Sequence, residues 1–211
     1  MGPLNGIKVL EFSGIGPGPY CGMLLADLGA DVIRLSRVNE KGTHNKFDIH
    51  NRSKRTIVAD LKNPKAIKEI KKLIQEVDVL FEGFRPGVME KLGLSPEECL
   101  KLNKSLVYGR MTGWGQEGPM SSQAGHDINY ISLSGALNAI GDQNSNPSIP
   151  LNLIGDYGGG GMMLAMGILA GVIRSSKTGK GQVIDSAMID GSLSLMSFFY
   201  SLKEMGIWKD E

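Results

Sequence analysis

The chain has 211 residues, 41% of them hydrophobic and 21% charged, which is enough for one sizeable core. Its charges nearly cancel at a formal +1, so composition offers no footing for broad nucleic-acid or anionic-membrane binding. The two cysteines, Cys21 and Cys99, have neither CxxC nor framework spacing, which points to a reducing, cytoplasm-like compartment.

Residues 2–6 lack the basic and apolar regions of a signal peptide, and Gly6 stands where a myristoylation pattern needs Ser or Thr. Residues 7–12 (IKVLEF) read as a strand, 13–19 as a Gly/Pro loop, and a helix runs through 24–28 until Gly29 stops it. Residues 30–35 form a second strand, completing a β–loop–α–β unit that seeds a parallel sheet. Counting from Gly14, the third position of a GxGxxG fingerprint holds Pro19, so no dinucleotide site is claimed. Residues 42–53, with His44, Lys46, His50 and Arg52, show no periodicity and read as a loop.

Residues 56–61 are the next strand. Asn63 then caps a helix with Pro64 first, Ile67, Ile70, Leu73 and Ile74 forming its apolar stripe and the lysines facing out. A strand at 78–82 runs into the Arg85 loop, Ser95–Pro96–Glu97–Glu98 opens a short helix as a capping box, and 105–110 is another strand. A helix is expected over 127–138, a Gly/Met-rich helix after Asp156, a strand at 182–185 and a last helix over 187–204. The uncharged run 157–173 is short for a membrane span and opens on helix-weakening glycines, so it reads as a buried helix. The final Lys-Asp-Glu reads as a cut end.

Strands alternating with helices predict an α/β fold, a Rossmann-like open, mostly parallel sheet flanked by helices. Ligands of such sheets bind beyond the carboxyl ends of the strands, where the loops after Phe12, Glu82 and Arg110 lie. Arg85 suits a phosphate there, whereas Lys54 and Arg55 read better as solvated charges. The working end is expected in 125–163, where His126 and Asp127 open one half and Asp156 precedes Tyr157 and four glycines. Histidine suits proton abstraction and return, and an Asp before a glycine run suits a base or a nucleophile. The glycines can free backbone N–H groups for a developing negative charge. The same residues also fit plainer roles: Asp127 or Asp156 as helix caps, His126 as a polar residue at a core edge, and the glycines as tight packing.

Several stretches together resemble the class III CoA-transferase family: GIKVLEFSGIGPGPYCGMLLADLGADVIRL from Gly6, ADLK at 59–62, GFRPGVMEKLGL at 83–94 and MTGWGQEGP at 111–119. GHDINY at 125–130, PLNLIGDYGGGGM at 150–162 and TGKGQVIDSAM at 178–188 are similar to its α-methylacyl-CoA racemase branch. The resemblance implies that all 211 residues form a CoA-binding large domain. It implies racemisation of 2-methyl-branched acyl-CoA thioesters through an enolate, with His126 and Asp156 as the proton-transferring pair and no cofactor beyond the CoA of the substrate. Arg37 matches the arginine near adenosine, Val58, Ala59, Asp60, Leu61 and Lys62 the segment lining the nucleotide, and Gly83 and Arg85 the loop near pantetheine and diphosphate. Gly125, His126, Asp127, Ile128, Asn129 and Tyr130 match the segment that holds the thioester end, with N–H groups near Asp127 facing the enolate oxygen. Met162, Met163, Met166, Met188 and Met196 offer a soft acyl surface, although core packing accounts for them better.

Family members run longer, with a smaller second domain, and form interlocked homodimers in which the partner supplies a carboxylate for the histidine. The expectation is therefore a fragment, or half of a protein whose C-terminal part is separately encoded, with apolar surface left uncovered and dimerisation or aggregation there. A CoA-transferase with Asp156 as covalent nucleophile, and a non-catalytic CoA-binding module, are the alternative readings.

Overall fold

The computed structural model describes residues 2–38, 47–142 and 144–209. His44, Lys46 and the last two residues fall outside them. The chain runs β1 (Lys8–Phe12), α1 (Pro17–Asp27), β2 (Asp31–Ser36), a 3-10 turn (Ile49–Asn51), β3 (Lys54–Val58), α2 (Pro64–Glu76) and β4 (Val79–Glu82). It continues through α3 (Val88–Lys91), α4 (Pro96–Leu102), β5 (Val107–Thr112), α5 (Asp127–Leu133) and α6 (Ala136–Ala139). A π-helix (Leu153–Met162) leads directly into α7 (Met163–Thr178), followed by β6 (Gln182–Ala187), α8 (Met188–Leu195) and α9 (Ser197–Glu204).

The six strands form one sheet in the order β3-β2-β1-β4-β5-β6, and every neighbouring pair is parallel. This is the doubly wound arrangement, with its topological switch point between β1 and β4. Both faces are covered, which is why the central strands are apolar on consecutive residues. Val9, Val32, Phe81 and Val107 pack with Leu25 of α1 and Leu164 and Ile168 of α7. Leu10, Leu35, Leu80 and Tyr108 pack with Ile70 and Ile74 of α2 and Cys99 of α4. The apolar run expected to be a buried helix is half of this cover: Leu164, Ala165 and Ile168 are buried. Met162 and Met166 instead stand 54% and 61% exposed, so core packing does not account for those two methionines.

Five expectations shift. α1 begins at Pro17, inside the predicted loop, because proline at the first helical position forfeits only an N–H with no intrahelical partner. β3 spans Lys54–Val58, not 56–61. Ala59 still donates its N–H to Ser36 O at 3.0 Å, but Asp60 turns the chain, its carbonyl accepting from Asn63 N and its carboxylate from Lys62 N. The helix predicted over 127–138 breaks at Gly135, which takes a left-handed φ of 76°. The helix over 187–204 breaks at Met196 into α8 and α9.

Lys54 is the fifth. Its side chain is shut from solvent between the sheet and α1, 2.7 Å from the equally buried Glu11 carboxylate, and it donates to Pro19 O at 2.8 Å. The neighbouring Arg55 is the solvated charge expected, 66% exposed and bonded through Nε to Asp31 at 3.0 Å.

Candidate active site at the switch point

The carboxyl ends of β1 and β4 diverge at the switch point, and the loops that leave them, 13–16 and 83–87, form two walls of a cavity of about 560 Å³. The loop after β5 and the start of α5 add Thr112, Trp114, Gly125, His126 and Tyr130, and the first turn of the π-helix adds Asn152, Asp156 and Tyr157. His126 and Asp156, 30 positions apart in the chain, thus line one space.

His126 holds the N-cap position of α5 in extended geometry (φ −133°, ψ 169°), so Asp127 is not the cap. Its backbone N–H donates to Asn129 Oδ1 at 2.9 Å, fixing the turn that presents the exposed imidazole. Behind it, Tyr130 is 2% exposed and stacks edge-on against Trp114 with ring centroids 4.7 Å apart. A Cβ on Gly113 would lie 2.2 Å from Tyr130 Oη and one on Gly125 2.7 Å from it, so the tyrosine fits only because both residues are glycine. Burial, then the Asp156 and Asp127 charges, push the Tyr130 hydroxyl up to about 12, so it stays protonated near neutral pH.

Asp156 is not a helix cap either. The π-helix starts three residues before it, at Leu153, and Tyr157 N bonds back five residues to Asn152 O at 3.3 Å. Asp156 therefore sits in the first turn, where Asn152 Nδ2 donates to its Oδ2 at 3.3 Å and its own N–H donates to Asp127 Oδ2 at 2.7 Å. Burial raises the Asp156 carboxyl above the ordinary aspartate range, with repulsion from Asp127 adding to the rise and the Asn152 hydrogen bond and His126 opposing it. A carboxyl held upward and an imidazole on the same cavity can give and accept a proton around one bound carbon.

The glycines after Asp156 serve packing. A Cβ on Gly159 would come within 2.7 Å of Ser192 N, one on Gly160 within 2.9 Å of Met188 Cγ, and one on Gly161 within 2.7 Å of the Tyr20 ring. They let α8 and α1 close onto the π-helix, and none of the four lines the cavity.

Of the residues singled out in the sequence as site residues or acyl surface, Gly83, Arg85, Gly125, His126, Tyr130, Asp156 and Met188 line the cavity. Asp127 lies buried behind it, and Ile128 and Asn129 face outward. Arg37 is exposed just after β2, and its guanidinium lies 5.4 Å from the centre of the Phe84 ring, itself part of the cavity wall. Val58, Ala59, Asp60, Leu61 and Lys62 leave the outermost strand on the same edge of the sheet without reaching the cavity. Asn152, Trp114, Tyr157 and His50 also line the cavity, and none of them is given a site role in the sequence reading. Asn152 stands four residues before Asp156, a spacing that signals contact only once a helix is known to start between them, at Leu153. His50 reaches the cavity through an aromatic cluster, its ring 5.6 Å from Tyr157 and 6.0 Å from Tyr20. Among the described residues, no group of three or more His, Cys, Asp or Glu side chains is placed to hold a metal ion.

Residues 4–207 match CoA-transferase family III. The chain is 46% identical over 206 residues to alpha-methylacyl-CoA racemase of Mus musculus, covering 98% of this chain and 53% of that protein. It is 34% identical over 208 residues to succinyl-CoA:glutarate CoA-transferase of Homo sapiens, covering 92% and 47%. Among solved structures, a CAIB/BAIF family protein from Brucella suis superposes with a TM-score of 0.88 at 30% identity, over 97% of this chain and 58% of that one. The chain spans about half the length of the curated relatives it matches.

Proposed function

Because the chain belongs to CoA-transferase family III, we propose that it is the CoA-binding large domain of an enzyme that racemises 2-methyl-branched acyl-CoA thioesters. The observation that carries this reading is that an imidazole and a half-buried carboxyl, His126 and Asp156, line one cavity at the switch point. A thioester carbonyl makes the hydrogen on the neighbouring carbon weakly acidic. One group of the pair removes that proton from one face to leave an enolate, and the other returns a proton to the opposite face. The roles exchange for the other enantiomer. Arg85 on the cavity rim and Arg37 against Phe84 supply cations for the CoA phosphates, and Met188 in the cavity wall, with the exposed Met162 and Met166, supplies soft surface for the acyl chain. No cofactor beyond the CoA of the substrate enters the reaction.

The reading includes a homodimer, interlocked through the part of the protein that lies outside the matched half of its relatives. Uncovered apolar side chains on α8, α9 and the residues after them support it: Leu195, Phe198 and Ile207 are 46%, 64% and 68% exposed. The test is exchange of the α-proton of 2-methylacyl-CoA with deuterated water, in the protein carrying all its parts. His126→Ala and Asp156→Ala are each expected to abolish exchange, and full exchange in either variant removes that residue from the mechanism.

A second reading, CoA transfer with Asp156 as covalent nucleophile, draws on the 34% identity to a CoA-transferase. It requires a mixed anhydride and then a thioester on Asp156, which hydroxylamine traps, and it gives His126 no proton to move. Transfer of CoA between two acids without α-proton exchange would select it.

A further inference from the structure

Asp127 is an acidic side chain 5% exposed whose Oδ1 has no hydrogen-bond partner among the described residues. Its Oδ2 accepts the backbone N–H of Asp156 at 2.7 Å. That N–H belongs to the first turn of the π-helix, where donors have no intrahelical acceptor. The approach is close enough that a Cβ on Gly155 would lie 2.8 Å from Asp127 Oδ2 and 3.2 Å from Asp127 Cα. The preceding residue, His126, and the residue it grips, Asp156, both line the cavity, while Asp127 itself does not. A buried anion with one oxygen unsatisfied is costly, and a neutral acceptor would make the same backbone bond more cheaply.

We infer that Asp127 is a positioning residue for Asp156: its carboxylate clamps the Asp156 amide at the cavity wall and sets a second negative charge beside the Asp156 carboxyl. The inference rests on the reading of Asp156 as a proton-transferring group and adds how that group is held and which neighbouring charge acts on it. It is separate from the contact between N–H groups near Asp127 and the thioester that the family resemblance implies. Titratable groups on the elements around Asp156 are His126, Asp127 and Tyr130 at α5, Tyr20, Cys21 and Asp27 on α1, Tyr157 on the π-helix, Asp190 on α8, Asp185 on β6 and Tyr108 and Arg110 on β5, with Arg174 and Lys177 in the distal half of α7. Of these, Asp127 and His126 are the charges that act on the Asp156 carboxyl, and they act in opposite directions. Clamp and repulsion therefore come from one side chain, and two substitutions separate them.

Carbon-13 titration of aspartate carboxyls, with Asp156 assigned through Asp156→Asn, reads the charge, and hydrogen exchange of the Asp156 amide reads the clamp. In Asp127→Asn, whose side-chain oxygen still accepts the amide, the Asp156 midpoint is expected to fall while amide protection holds. In Asp127→Ala the amide is expected to exchange about tenfold faster. A fixed midpoint in Asp127→Asn overturns the inference, as does unchanged protection in a folded Asp127→Ala chain; should the alanine variant unfold, the asparagine variant alone decides. Neither readout needs turnover. A protein that exchanges no α-proton but shows both shifts would overturn the racemase reading and leave the positioning role standing.

Discussion

Lys54 and Glu11 meet beneath α1 with both side chains out of solvent. In the sequence, Lys54-Arg55 looks like a pair of surface cations. Strand alternation sends them to opposite faces, and only the packing of α1 decides that one of those faces is closed. Gly22 makes the closure possible, since a Cβ there would lie 2.0 Å from Glu11 Oε2 and 2.7 Å from Lys54 Nζ. Burial raises the Glu11 carboxyl to about 7, with the Lys54 ammonium working against that rise. Because Lys54 also bonds Pro19 O, it ties β3 to the first turn of α1 and so to the cavity wall at 13–16. Lys54→Met leaves a buried carboxyl and a carbonyl unpaired and is expected to cost about 3 kcal/mol of stability. Adding Glu11→Leu should recover most of that in urea denaturation, and an unchanged midpoint in the single variant would contradict the pairing.

At the scale of elements, the strands and α2 were legible because their signals are local: apolar runs for buried parallel strands, and the Asn63–Pro64 start with its isoleucine stripe for the helix. The π-helix was not. An i→i−5 helix has no periodicity that a 3.6-residue search detects, and Asp156 before four glycines imitates the start of an ordinary helix. What those glycines do depends on a partner far away in sequence: a Cβ on Gly191 would lie 1.9 Å from Gly159 O, so α8 and the π-helix touch backbone to backbone. Gly191→Ala is accordingly expected to lower stability by about 2–3 kcal/mol and to shift the Asp156 carboxyl resonance by prying the π-helix from its seat. Gly179→Ala serves as a control, because its Cβ meets nothing within 4 Å and the left-handed φ of 68° accounts for its smaller cost of about 1 kcal/mol. Equal losses in the two variants would argue against the close contact.

For the molecule as a whole, the sheet is covered on both faces while the surface of α8 and α9 is not. Phe198, Met205 and Ile207 are each more than 60% exposed, more large apolar surface in one region than isolated side chains produce. The chain by itself is therefore expected to self-associate, read by analytical ultracentrifugation as an average mass that rises with concentration. Phe198→Glu with Met205→Glu should shift it toward monomer while leaving the thermal midpoint nearly unchanged. A monomeric unsubstituted chain would mean that this face is tolerated bare.

The amino-acid sequence by itself determined the α/β class, the parallel sheet, the loops at its carboxyl edge and the residue types able to move a proton, since each follows from short-range pattern or side-chain chemistry. The tertiary structure alone decided that His126 and Asp156 share a cavity, that the buried Asp127 accepts the Asp156 amide, and that the glycine run packs helices. Those outcomes depend on contacts between residues about thirty or more positions apart, which packing brings together and local preference does not encode.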